Sequence, residues 1–131
     1  EFVSPDDDYD KFCEMNIINE KRRAMSLFLT SLYKHKVLTL DFIFDKIQKV
    51  QNMIMKEETM LHESSRMEVE ELSENLYILL TNIPFSTLSS HSEWKQIMDN
   101  LLQIKNTDTK ACMGISPKAK FKHMDILDKL K

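Results

Sequence analysis

The sequence predicts an all-α protein built from antiparallel helix pairs, and three observations lead there. Apolar residues recur at i, i+3, i+4 and i+7 through most of the 131-residue chain, the mark of helices with one buried face. Gly114 is the single glycine, and neither Asn-Gly nor Asp-Gly occurs, so the tight turns that join hairpin strands are missing. Nine methionines accompany that lone glycine, a balance that favours helix over strand. The length suits one domain, or part of one, with a real core.

Residues 1–18 carry Ser4-Pro5, an aspartate run, then Tyr9 and Phe12. They read as an acidic loop and lead-in with a short helical turn at most. The chain opens on Glu1 rather than Met, which points to a fragment or a processed chain. Helical pairs are expected over 19–131. From about Asn19 to Lys34, Met25, Phe28, Leu29 and Leu32 form an apolar stripe, with Leu27 on a second face. Thr39 then offers an N-cap hydroxyl. Leu40, Ile43, Phe44, Ile47, Val50 and Ile54 follow at helical spacing to about residue 56, the strongest periodic signal in the chain. A connection this short makes the two helices antiparallel neighbours.

Ser64 or Ser65 precedes the next helix, and Glu68 stands three residues past Ser65 at capping-box spacing. The stripe from Val69 through Leu72, Leu76, Leu79, Leu80 and Ile83 ends at Pro84, which lacks an amide to donate and clashes with the preceding turn. Residues 85–92 read as loop. Trp94, Ile97, Leu101 and Ile104 mark a helix starting near Ser92, with Trp94 in the core. Ser116-Pro117 opens the last helix as N-cap and first helical residue. There Ala119, His123, Leu127 and Leu130 share the buried side, and Lys118, Lys122, Asp125 and Lys129 the outer one. Asp125 to Lys129 has the favoured order for an intrahelical ion pair. Five helices in pairs leave two architectures open, a bundle or a stack.

The net charge of −3 hides four alternating blocks: −6 over residues 1–20, +6 over 21–56, −7 over 57–99 and +4 over 100–131. Such segregation suits binding surfaces better than catalysis. No catalytic residues, metal site or cofactor are expected. His35, His62, His91 and His123 are scattered, and HExxH and CxxC are absent. His123 reads as a hydrogen-bonded packing residue. Glu57-Glu58 and Glu70-Glu71 diverge on a helix, a poor arrangement for paired carboxylates. Cys13 and Cys112 read as reduced thiols, which suits a cytoplasmic location. No apolar run reaches the ~20 residues of a membrane span, and no signal-peptide pattern is present, so no membrane partner is expected. The basic cluster Lys21-Arg22-Arg23, with Lys34 and Lys36 at the far end of that helix, has two readings. It either solvates the helix ends, Lys34 and Lys36 complementing the dipole, or it contacts RNA phosphates.

Three stretches resemble one family. "RRAMSLFLTSLYKHKVLT" resembles the basic-apolar helix of the middle domain of eukaryotic translation initiation factor 4 gamma, and "EELSENLYILLTNI" its next motif, with Pro84 where glycine is usual. "ISPKAKFKHMDILDKLK" resembles the closing motif: Ile115, Ser116, Phe121, Asp125, Asp128 and Leu130 match, and Lys118 and Lys120 stand in for arginines. The resemblance covers nearly all of this chain but only the last half of that domain. It implies a HEAT-type α-solenoid of about two and a half repeats. It further implies a translation-initiation scaffold that binds a DEAD-box RNA helicase and touches RNA nonspecifically, with other cap-binding subunits held by regions outside this chain. The outer face Lys118, Lys122, Asp125 and Lys129 would then meet the helicase, and Lys21, Arg22, Arg23, Lys34 and Lys36 the RNA. Alternatives are a helical adaptor of nuclear cap binding, splicing or mRNA decay, or a protein-interaction domain with no RNA affinity.

Overall fold

The computed structural model describes the backbone of residues 5–130 and the side chains of residues 9–130. Among them are seven α-helices and no strand: α1 (Pro5–Lys34), α2 (Leu40–Met55), α3 (Glu57–Leu61), α4 (Arg66–Thr81), α5 (Phe85–Ser89), α6 (Trp94–Lys105) and α7 (Pro117–Lys129). The all-helical class agrees with the periodicity. Local chemistry sets two starts as expected: Thr39 Oγ1 accepts from the Phe42 amide at 3.2 Å, and Ser116 Oγ from the Ala119 amide at 3.1 Å, each satisfying a first-turn donor.

Elsewhere the structure corrects the sequence reading. The lead-in at 5–18 is helix, not loop, although residues 1–4 of that stretch lie outside the described residues. Proline is tolerated at the first helical position, and neither proline nor glycine follows before Lys34. The capping box does not form: Ser65 has helical dihedrals and makes no side-chain cap, because a 3-10 turn at Glu63–Ser65 already leads into α4. A short helix, α5, occupies part of the expected loop after Pro84, and α3 continues beyond the break at Lys56. Seven helices therefore replace five.

The face that α1 buries also differs. Met25 and Phe28 are each 54% exposed, whereas Ser26 and Thr30 are buried. The small hydroxyl residues let α4 approach closely. Ser26 Oγ donates to Asn75 Oδ1 at 2.7 Å, and the Arg23 guanidinium forks onto both oxygens of Glu71. Paired polar groups thus join Leu29, which still packs against the core, in that seam.

Register follows from these contacts. Arg23–Glu71 and Ser26–Asn75 advance together, so α1 and α4 run parallel at separations of 48 and 49 residues. Ser116–Glu70 and His123–Ser73 make α7 parallel to α4, at 46 and 50. Asp41–His91 and Gln51–Ile97 join α2 to the α5–α6 segment in the same sense, at 50 and 46. The helices form two rows, α1–α4–α7 and α2–α6. α4 packs against α1, α2 and α7, and α6 against α2 and α7. Phe44, Ile47, Leu76, Leu79, Leu101 and Ile126, all buried, fill the space between the rows.

Two close approaches lock the loops. A Cβ on Gly114 would lie 1.8 Å from the Thr59 carbonyl oxygen, so the lone glycine is there to let the loop before α7 touch the end of α3. Its amide donates to the Met60 carbonyl at 2.8 Å. Trp94, buried as expected, meets Phe85 edge to face at 5.9 Å, which pins α5 onto α6.

Candidate partner and nucleic-acid contact surface

Of the five residues read as RNA contacts, the fold separates three kinds. Arg23, its side chain still 44% exposed, reaches across to α4, and its fork onto Glu71 spends the geometry that would otherwise clasp a phosphate. The hydrogen bonds it donates to Glu71 raise its pKa further, against the desolvation that opposes them. Lys21 and Arg22 are exposed on the same turn of α1. Lys34 and Lys36 lie at the other end, 13 residues from Lys21 and hence about 20 Å away along a helix. Lys36 also has a structural role. With φ 63° it is the described residue other than glycine in the left-handed region. Its amide donates to Tyr33 and that of Val37 to Leu32, the two hydrogen bonds of a Schellman C-cap.

On α7 the expected outer face divides as well. Lys118, Asp125 and Lys129 are exposed. Lys122 instead leans on α4, its Nζ 3.3 Å from Glu74 Oε2 and 4.5 Å above the Tyr77 ring. Among the described residues no ion pair joins Asp125 to Lys129, so the intrahelical pair expected there is not formed. His123 lies on the buried side as expected, its Nε2 3.0 Å from Ser73 Oγ. Burial alone pushes its pKa down to about 4, and its Nδ1 is buried without a hydrogen-bond partner.

Two surface features escaped the sequence reading. A cavity of about 340 Å³ opens between α1, α2 and α4, walled by Met25, Leu29, Val50, Met53, Leu72 and Leu79. Arg22, Lys46 and Glu68 stand at its rim. Lys46 joins Arg22 only because α2 folds back along α1, a juxtaposition 24 residues of sequence do not announce. A second groove, of about 440 Å³, lies between α6 and α7 beside Lys105, Lys120 and Phe121. Phe121 is 61% exposed there. The helical period of α7 sets that phenylalanine opposite Ala119, His123 and Leu130, so its exposure follows from the period; the groove beside it needs Lys105 of α6.

These surfaces offer cations, apolar recesses and one exposed ring, the chemistry of docking. Among the described residues no group of three or more His, Cys, Asp and Glu side chains is placed to hold a metal ion. No helix among them is long and apolar enough to cross a membrane. Compared with protein-family models, curated proteins and solved structures, the chain matches none.

Proposed function

We propose that this chain is a HEAT-type module of a translation-initiation scaffold, similar to the later part of the middle domain of initiation factor 4 gamma. It holds a DEAD-box RNA helicase in the cytoplasm and contacts RNA without sequence preference. One observation carries the reading. The chain steps along each row every 46 to 50 residues, close to the roughly 40–47 of HEAT and armadillo repeats, and parallel rows are how such repeats stack. Three motifs, in order, resemble that family at the first helix, the second pair and the closing helix.

In this reading Lys118, Asp125 and Lys129 present the exposed charges of α7 to the helicase, while Lys122 braces α7 on α4. Lys21 and Arg22 reach RNA phosphates together, and Lys34 and Lys36 reach others a helix length away. The test is the RNA-stimulated ATPase of a DEAD-box helicase of the cap-binding complex, measured with saturating module. A several-fold rise that Asp125→Lys with Lys129→Glu abolishes is expected; a rate unchanged by the module ends the proposal. RNA affinity should fall steeply with salt, and Lys21→Ala with Arg22→Ala should lower the salt slope by about 2, roughly one for each phosphate no longer neutralised.

A second reading, a protein-interaction array without RNA affinity, is favoured by Arg23, whose guanidinium is committed to Glu71. Helicase stimulation with no measurable RNA binding would select it.

A further inference from the structure

The groove between α6 and α7 gathers positive charge around one open ring. Its walls are Lys105 of α6, Thr109 of the connecting loop, and Pro117, Lys120, Phe121 and Met124 of α7. No carboxylate is among them, and among the described residues neither lysine has an ion partner. Both lysines are half-buried, so two partly desolvated cations face one space with nothing to offset their repulsion.

The acids of this region leave that sign intact. Asp108 accepts the Lys110 amide at 2.9 Å. Glu70 is held by the Ser116 hydroxyl at 2.6 Å, on the α4 side. Asp99, the acid of α6, stands about 120° round that helix from Lys105. Asp125 and Asp128 follow Phe121 one and two turns along α7. From Lys105 to Lys129 six lysines stand against three aspartates; with Lys122 committed to Glu74, five still do.

Two cations alone would accept any anion, and Phe121 narrows the class. Its side chain is 61% exposed beside the apolar Pro117 and Met124. A ring this open can cover one face of a flat group, whereas an inserted aliphatic side chain would stay half in water. A single-stranded nucleic acid alternates flat groups with single negative charges, and aromatic platforms flanked by cations are how such strands are held.

We propose that this groove is a subsite for single-stranded RNA, one base stacking on Phe121 while Lys105 and Lys120 hold the adjoining phosphates. The subsite rests on the RNA contact proposed above, yet it lies across α4 from Lys21 and Arg22, because α1 and α7 flank α4 in one row. It adds a base-dependent part to binding that phosphate contacts alone lack.

Fluorescence anisotropy of a labelled uridine oligonucleotide, and of an abasic oligomer with the same phosphates, tests it. Phe121→Ala should weaken the uridine probe about tenfold and leave the abasic probe unchanged. Phe121→Trp should bind at least as tightly as wild type, its indole emission quenched as a base stacks. Lys105→Ala with Lys120→Ala should lower the salt slope by about 1.4, near 0.7 for each single-strand phosphate. The altered side chains are exposed or half-buried, so the helical circular-dichroism signal should persist in each variant. RNA binding that Lys21→Ala with Arg22→Ala weakens but Phe121→Ala does not overturns the inference and leaves the proposed function standing. Binding of neither probe removes the RNA contact as a whole, with helicase stimulation left to judge the scaffold. A peptide alternating aspartate with phenylalanine that displaces the uridine probe, and binds more tightly than it, overturns the inference in favour of an acidic protein segment.

Discussion

His123 shows how a single buried group couples the fold to pH. Its imidazole has one hydrogen-bond partner, Ser73, and an unpartnered Nδ1, so taking up a proton would leave charge in the core. Burial lowers its pKa from the ordinary 6.5 to about 4. Between those values the unfolded chain binds a proton that the native chain refuses, and stability falls as the pH drops. The contribution is complete above about pH 6.5 and lost progressively toward pH 4, by about 3 kcal/mol in all. Urea midpoints at pH 7.5, 5.5 and 4 should descend in that order, and His123→Gln should flatten the series. The sequence placed His123 on the buried side through its helical phase, but not Ser73 beside it, because that pairing spans 50 residues. Arg23 carries the same lesson with a different outcome. Its place in a run of three cations is visible in one dimension, yet Glu71, 48 residues on, decides that it braces two helices.

At the scale of elements, helix ends were legible where a cap is purely local. Thr39, Ser116 and Pro117 act within one turn. The end of α1 is local too, although Lys36 hides it by standing where glycine is usual. A left-handed residue with a Cβ costs roughly 1–2 kcal/mol, so Lys36→Gly should stabilise the chain by about 1 kcal/mol. A rise of several degrees in the thermal midpoint would register it. The same change removes one cation from the candidate RNA surface, so stability and RNA affinity should move in opposite directions. The face that α1 buries was not legible. Met25 and Phe28 have the right period for a core stripe, but packing buried Ser26, whose hydroxyl donates to Asn75 of α4, and Thr30, whose hydroxyl donates to the Leu27 carbonyl. Hydrophobic period reports which helix faces could be covered; which one is covered depends on the neighbour.

For the whole molecule, the two rows of helices predict a gradient of stability. α4 packs against α1, α2 and α7, whereas the side-chain hydrogen bonds that tie α1 to α4 start at Arg23. Local opening should therefore be easiest along the first half of α1, an arm at residues 9–18 that is largely exposed. Amide hydrogen exchange there should be at least about 100-fold less protected than at residues 26–33, near 3 kcal/mol in opening free energy. Equal protection along all of α1 would mean that the arm is packed. The arrangement also explains why charge blocks alternate along the chain. Steps of 46 to 50 residues bring basic 21–56 beside acidic 57–99, so part of that alternation is spent on pairs such as Arg23–Glu71 and Lys122–Glu74.

Taken by itself, the sequence determined the all-helical class, the approximate position of five helices and the caps at Thr39 and Ser116, since these depend on periods and contacts within one or two turns. Three motifs in order also resemble one family. Only the tertiary structure decided which cations are free, which face of α1 is covered and where the recesses lie. Those outcomes rest on side chains brought together from nearly fifty residues apart, and their spacing in space is set by helix packing rather than by any signal along the chain.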